Sequence, residues 1–325
     1  MKKITAKAFK AAIKRDPAWA SRLTEPVEIT DYCLMASSGI THLSRFLYFA
    51  GIDEHGQTAS FAFCYYLKIA EGNFAGFVEF SESGVESIGD LRISACDNYG
   101  NAATFDGCED LKVAAGTFPG CVVFSTSGIE KIGELNIRCP NNSGVAATFE
   151  GCEYLKVAEG TFPGYVRFID SGIEKIGELN IRCPDNSGVA ATFDDCKNLK
   201  VAEGTFPGCV SFINSGINKI GELVVTAPKK GGLAASFIGC KDLKVAEGTF
   251  HGRVNFSDSG VKKTGGLVIT RSRSKRIKAD FTGCNVRLPT ELLGPDYLMD
   301  DKIRQRNLNR IATSKAIKAA PDIEI

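Results

Sequence analysis

The sequence predicts an elongated repeat solenoid, a parallel β-sheet stack of about eleven short coils with a helical segment at each end. Three observations carry this reading. Cys64, Cys108, Cys152, Cys196, Cys240 and Cys284 recur every 44 residues, as do Phe61, Phe105, Phe149, Phe193, Phe237 and Phe281. A fixed period without insertions marks stacked units, each covering its neighbour's apolar face. Triplets such as "LKV" (Leu155, Lys156, Val157) and "LNI" (Leu179, Asn180, Ile181) alternate with the period of half-buried strands. Between them Gly160, Pro163, Gly164, Gly172 and Gly177 turn the chain.

Taken in order, residues 1–37 read as a helical N-terminal cap. In "TAKAFKAAIKR" Phe9 and Ile13 share one helix face. "DPAWASRL" signals a second helix, with Asp16 as N-cap and Pro17 at its first position. Trp19, the single tryptophan, is placed to cover the open end of the core. The solenoid proper spans residues 38–288. Its opening stretch "SSGITHLSRFLYFAG" aligns with "DSGIEKIGELNI", which points Leu43, Phe46 and Tyr48 inward, with one additional residue before Cys64.

Within a unit, Leu155 to Leu179 is 24 residues and Leu179 to Leu199 is 20, so the coils alternate in length. Cys152, Leu155, Val157 and Phe162 face the core, and Ile176, Leu179 and Ile181 repeat the pattern. Stacking sets such triplets side by side at about 4.8 Å. "VRF" (Val166 to Phe168) forms an opposite wall, and "AATF", with small Ala146 and Ala147, takes the same place in the other coil. The pattern decays at the far end, where Thr264 replaces an Ile and Lys278 an Ala. Residues 289–325 read as a polar, basic helical segment, either a second cap or an arm offered to a partner.

The string F-x-G-C-x-x-L-K-V followed by S-G-I-x-K-I-G resembles the BspA-type leucine-rich repeats of many bacterial proteins and some protists, over roughly residues 38–288. The resemblance implies a leucine-rich-repeat-like solenoid and a binding or adhesion role, often at cell surfaces. The chain departs from that pattern in its unequal coils, and in Gly160 where many such repeats carry Asn.

Composition is that of an ordinary folded chain, 44% apolar and 24% charged. No run of about 18 apolar residues is present to span a membrane. The first residues lack the apolar stretch of a secretory signal, so a cytoplasmic location is expected. Charge is uneven. Residues 1–225 hold 20 Lys+Arg against 28 Asp+Glu, whereas residues 226–325 hold 19 against 10.

Chemistry-bearing residues fall in columns rather than clusters. Cysteines two coils apart lie roughly 9–10 Å from one another, beyond the ~7 Å limit for a disulfide. Neither C-x-x-C nor a zinc-spaced pair occurs. Buried free thiols in a reducing compartment are therefore expected, with a pair inside one coil, Cys139 with Cys152, left open. His42, His55 and His251 lie on distant coils. Catalysis requires one asymmetric constellation, and a column repeats one environment, so a non-catalytic chain without metal or cofactor is expected.

Two sets of residues are candidates for holding a protein partner. One is the column Lys112, Lys156, Lys200 and Lys244 (with Lys68), expected to stand outward between Arg92, Asn136, Asn180, Val224 and Val268. The other is the divergent outward set of the opposite wall, above all Tyr165, Arg167 and Arg253, with Phe77, Cys121 and Cys209 at equivalent places. Lys229, Lys230, Arg271, Arg273, Lys275 and Arg276 form a basic end suited to nucleic acid or another polyanion. Binding of a protein partner is the leading expectation. Polyanion binding and a secreted effector or adhesin role are the alternatives.

Overall fold

The computed structural model describes residues 1–270 and 279–286. Two parallel walls enclose one apolar interior, as a repeat solenoid requires. Among the described residues the first wall has thirteen strands, running from Lys2–Ile4, Val27–Ile29 and Leu47–Phe49 through Val157–Phe162 and Lys175–Ile181 to Lys263–Ile269. Its hydrogen bonding divides it into blocks of seven, two and four strands. The second wall is one twelve-stranded sheet from Cys33–Leu34 to Ala279–Asp280. Pairing is parallel and joins successive coils in both walls.

The second wall has the expected register: Ala147 lies beside Val166 and Thr148 beside Arg167. The first wall divides the 44 residues differently from its leucines. Gly160, Thr161 and Phe162 pair with Leu179, Asn180 and Ile181. Strand-to-strand steps are therefore 19 residues (Phe206 to Val225) and 25 residues (Val225 to Phe250), not 24 and 20. Leu155 sits in the corner ahead of its strand, and its counterpart one coil later is the equally buried Ile173. A register shift between Ala158 and Gly160 explains the difference. Gly160 has φ +107°, a bulge conformation closed to leucine, so the strand carries glycine where its partner carries Leu179.

Of the six additional residues of the longer step, one is a bulge in the second wall, at Ala190 between Val189 and Ala191, and five fall in loops between the walls. There Ile181 reaches Val189 through "RCPDNSG", whereas Phe162 reaches Tyr165 through Pro163 and Gly164 alone. These loops touch across 44 residues, bypassing the coil between. Asn98, Asn142 and Asn186 each donate a side-chain N–H to a carbonyl of the preceding loop, at 2.8–3.0 Å. A Cβ on Gly144 would meet the Asp185 backbone at 2.6 Å, so the tips stack only because glycine is there. The result is a ridge along one flank.

Phenylalanine fills the interior. Eleven rings, Phe61, Phe80, Phe105 and so on to Phe281, form one column with centroids 5.1–5.5 Å apart and planes within 6–13°. Phe118, Phe162, Phe206 and Phe250 meet this column edge-on. Such contacts add roughly 0.5–1.5 kcal/mol each beyond burial.

The 44-residue cysteines do more than fill space. Cys196 Sγ donates to Phe168 O at 2.8 Å, and Ser171 Oγ donates to the same carbonyl at 2.6 Å. Cys64, Cys108, Cys152, Cys240 and Cys284 make the equivalent bond. The carbonyl lies where the chain leaves the second wall, so the thiol satisfies a buried acceptor that the sheet does not reach. All twelve cysteines are free; Cys139 is exposed and Cys152 buried, so the pair left open does not form.

At the N-terminus, helix α1 spans Ala6–Arg15, with Thr5 accepting from Ala8 N–H and Phe9 and Ile13 buried. Trp19 meets Phe9 edge-on at 5.9 Å and packs against the core. The expected second helix is one 3-10 turn, Trp19–Arg22; Asp16 accepts from Ala18 N–H and pairs with Arg22. Both walls already begin within residues 1–37. The additional residue of the first coil lies between Leu43 and Leu47, so Leu47 and Phe49 point inward, not Phe46 and Tyr48. A one-residue shift exchanges the faces of a strand. Residues 289–325, read as a helical segment, lie outside the described residues. Among the described residues no helix is long and apolar enough to cross a membrane.

Candidate binding surfaces

The lysine column does not stand on the first wall's face. That face carries the row Arg92, Thr117, Asn136, Thr161, Asn180, Thr205, Val224, Thr249 and Val268. The lysines lie before the strand, in the corner that joins the walls. Each is tied down locally. Lys112, Lys200 and Lys244 donate to the carbonyls of Glu109, Lys197 and Lys241 at 2.7–3.1 Å. Lys156 pairs with Glu174 at 3.4 Å, and Lys68 with Glu86 at 2.8 Å and Asp110 at 3.2 Å. Those two carboxylates raise the Lys68 ammonium above its usual pKa. Exposed pairs of this kind contribute about 0–1 kcal/mol.

The second set points inward more than its alternation suggests. Tyr165 is 9% exposed, and its hydroxyl bonds Thr192 Oγ1 at 2.7 Å in the next coil, so the ring lies along the sheet. Cys121 and Cys209, at the same position of the period, are buried too. Arg167 is half-buried with its guanidinium 3.8 Å from Glu150. Among the described residues Nε of Arg167 and of Arg253 finds no partner. The lysines and the Tyr165, Arg167, Arg253 set thus occupy different faces. Lys229 and Lys230 sit at the last described loop of the ridge, where Lys230 N–H donates to Ser187 O at 2.8 Å. Arg271, Arg273, Lys275 and Arg276 lie outside the described residues.

Seven of the buried thiols are held protonated. Burial pushes Cys108, Cys152, Cys196, Cys209 and Cys240 up to about 11, and Cys33 and Cys121 up to about 12. Such groups are poor nucleophiles and metal ligands at neutral pH. Among the described residues no group of three His, Cys, Asp or Glu is arranged to hold a metal ion. A shallow groove of about 570 Å³ opens on the first wall where Gly221, Gly248 and Gly266 leave room beside Leu223 and Val224.

The corner of the first repeat stands apart. Phe63 is 45% exposed, Tyr65 62% and Tyr66 68%, beside a core whose rings are fully covered. Phe63 and Tyr65 meet edge-on at 6.4 Å. Phe63 also has φ +58°, in the left-handed region that a bulky residue rarely adopts. The equivalent residues are Gly107, Gly151, Asp195, Gly239 and Gly283. Sequence reasoning passed over this corner, although comparing "FCYYLK" with "GCEDLK", "DCKNLK" and "GCKDLK" shows it.

Comparison with protein families, with curated proteins and with solved structures found no match for this chain.

Proposed function

We propose that this chain is a non-catalytic repeat scaffold that holds a protein partner on the exposed corner of its first repeats. The observation that carries the reading is the break in repetition at Phe63, Tyr65 and Tyr66. Elsewhere the corner is built from Gly, Glu, Asp, Lys and Asn, with Tyr154 and Val286 the two exceptions, which suits plain solvation. Here three large aromatic side chains stand together in water, one of them on strained backbone. Exposed apolar clusters of this kind mark interaction sites, and aromatic residues supply much of the energy in protein interfaces. The likeness to BspA-type leucine-rich repeats supports a binding role. The many buried, protonated thiols favour a reducing compartment, consistent with a cytoplasmic protein.

The test is affinity capture from the native host with the wild type and a Tyr65→Ala/Tyr66→Ala variant of equal melting temperature. A partner retained by the wild type and lost by the variant supports the reading; equal recovery from both overturns it. A second reading, polyanion binding, is favoured by the ridge itself. Its tips pass from Glu54 through Asn98 and Asn142 to Lys229 and Lys230. Affinity for duplex DNA that falls steeply with salt would support that reading.

A further inference from the structure

We propose that the Phe63–Tyr65–Tyr66 corner receives a cationic side chain, Lys or Arg, from an extended segment of a protein partner. This rests on the protein-binding reading and names the partner's chemistry.

The molecule contains the arrangement once already. The Lys112 ammonium of the second repeat sits over the Tyr154 ring of the third, 5.3 Å from its centroid. An ammonium over an aromatic face is attracted by the ring's negative centre. Tyr66 holds the same position of the period, 88 residues before Tyr154. Allowing for the additional residue of the first coil, the residue corresponding to Lys112 is the uncharged Leu23, six places before Ile29 as Lys112 is before Phe118. Among the described residues the cation–π contacts are Lys112 on Tyr154 and Arg45 on Phe46. The Tyr66 ring therefore repeats the Tyr154 platform without its internal cation.

The surrounding charge selects the same class of ligand. Residues 53–112 hold three Lys+Arg against eleven Asp+Glu, a net of −8. Several of these acids border the corner. Phe63 N–H donates to Ser81 O, and Glu82 N–H to Asp106 O, so three successive coils meet there. The Glu82 carboxylate lies against Gly107, 2.8 Å from where a Cβ would stand. Glu86 and Asp110 hold Lys68, the corner's own cation, leaving Glu82 and Glu109 to face an incoming charge. An acidic rim around exposed rings attracts cations and repels acidic segments.

Strain argues that the rings are kept for contact rather than for folding. Glycine at residue 63 would adopt φ +58° freely, as it does in four of the sister corners. Phe63 fills no interior space in return, since it is 45% exposed.

The test uses the full chain and a fluorescent peptide of alternating Arg, Gly and Ser, read by anisotropy at physiological ionic strength. A peptide with Glu in place of Arg is the charge control, and one with Leu in place of Arg is the apolar control. The expected result is saturable one-to-one binding of the Arg peptide, weakened about tenfold or more in Tyr65→Ala/Tyr66→Ala, which leaves every charge in place. The Glu peptide should not bind. Phe63→Gly guards against loss of fold: it should bind more weakly while melting higher. Arg-peptide binding unchanged in the double variant, equal binding of the Glu peptide, or no binding of the Arg peptide would each overturn the inference. Binding of the Leu peptide alone, lost in the double variant, would overturn the cationic assignment while leaving the protein-binding corner intact.

Discussion

The interior of the solenoid and the corner of its first repeat obey different rules. Inside, the same residue types recur from level to level: Phe in the ladder, Cys or Ser beneath its carbonyl, Leu, Ile or Val in the corner core. At the surface of the first corner the pattern changes to Phe63, Tyr65 and Tyr66 where sister copies carry mostly Gly and polar or charged residues. Repetition inside follows from stacking, since each ring is both floor and ceiling for its neighbours. Departure outside, on a backbone that disfavours it, points to a demand that stacking does not make.

The largest effect expected on the interior side is from Phe149→Ala. Phe149 stacks on Phe124 and Phe168 and meets Phe162 edge-on. Its loss should cost about 3–5 kcal/mol, read as a fall in the urea midpoint. Tyr66→Ala, at the exposed corner, should stay within roughly 0.5 kcal/mol of the wild type.

Alkaline pH gives the next test. A thiol with a raised folded pKa binds its proton more tightly folded than unfolded. Its contribution is complete below the unfolded value of about 8.5. It is lost as pH rises through the folded value of about 11 for Cys152, Cys196 and Cys240. Stability should therefore fall between those limits, by up to about 1.4 kcal/mol per pH unit for each such thiol. Replacing Cys152 and Cys196 with Ser should flatten the slope, measured by urea titration at each pH. An unaltered slope would remove these thiols as its cause.

Much of this interior was legible beforehand. The 44-residue period, the burial of the cysteine column and the pairing of "AATF" with "VRF" follow from spacing alone, because the second wall is regular. The first wall is less legible because Leu155 and Leu179 look equivalent. One is a corner residue, while the other pairs with Gly160 across a bulge, and a glycine carries no apolar signal. Alternation points Tyr165 outward because it fixes where a side chain starts, not where it ends. Its hydroxyl reaches Thr192 and draws the ring along the sheet. Phe63, Tyr65 and Tyr66 were readable as exceptions, but only once the copies were compared for what differs.

Smaller effects sharpen the contrast. Cys152→Ala removes one donor to Phe124 O, which keeps Ser127 Oγ, and leaves a small void, so a loss of about 1–2 kcal/mol is expected, with Cys152→Ser recovering part of it. Thr126 has φ +50° where sister repeats carry Asp170, Asn214 and Asp258. Thr126→Asn should gain up to about 1 kcal/mol, because Asn tolerates that conformation better. A lower melting temperature for Thr126→Asn would show that its bond to Asp106 outweighs the strain.

The most direct measurement is the sign of two melting-temperature changes taken side by side. If interior rings hold the coils together and the first corner is kept at the expense of stability, Phe149→Ala melts well below the wild type and Phe63→Gly melts above it. A fall for both variants would contradict that division, because Phe63 would then be one more structural ring.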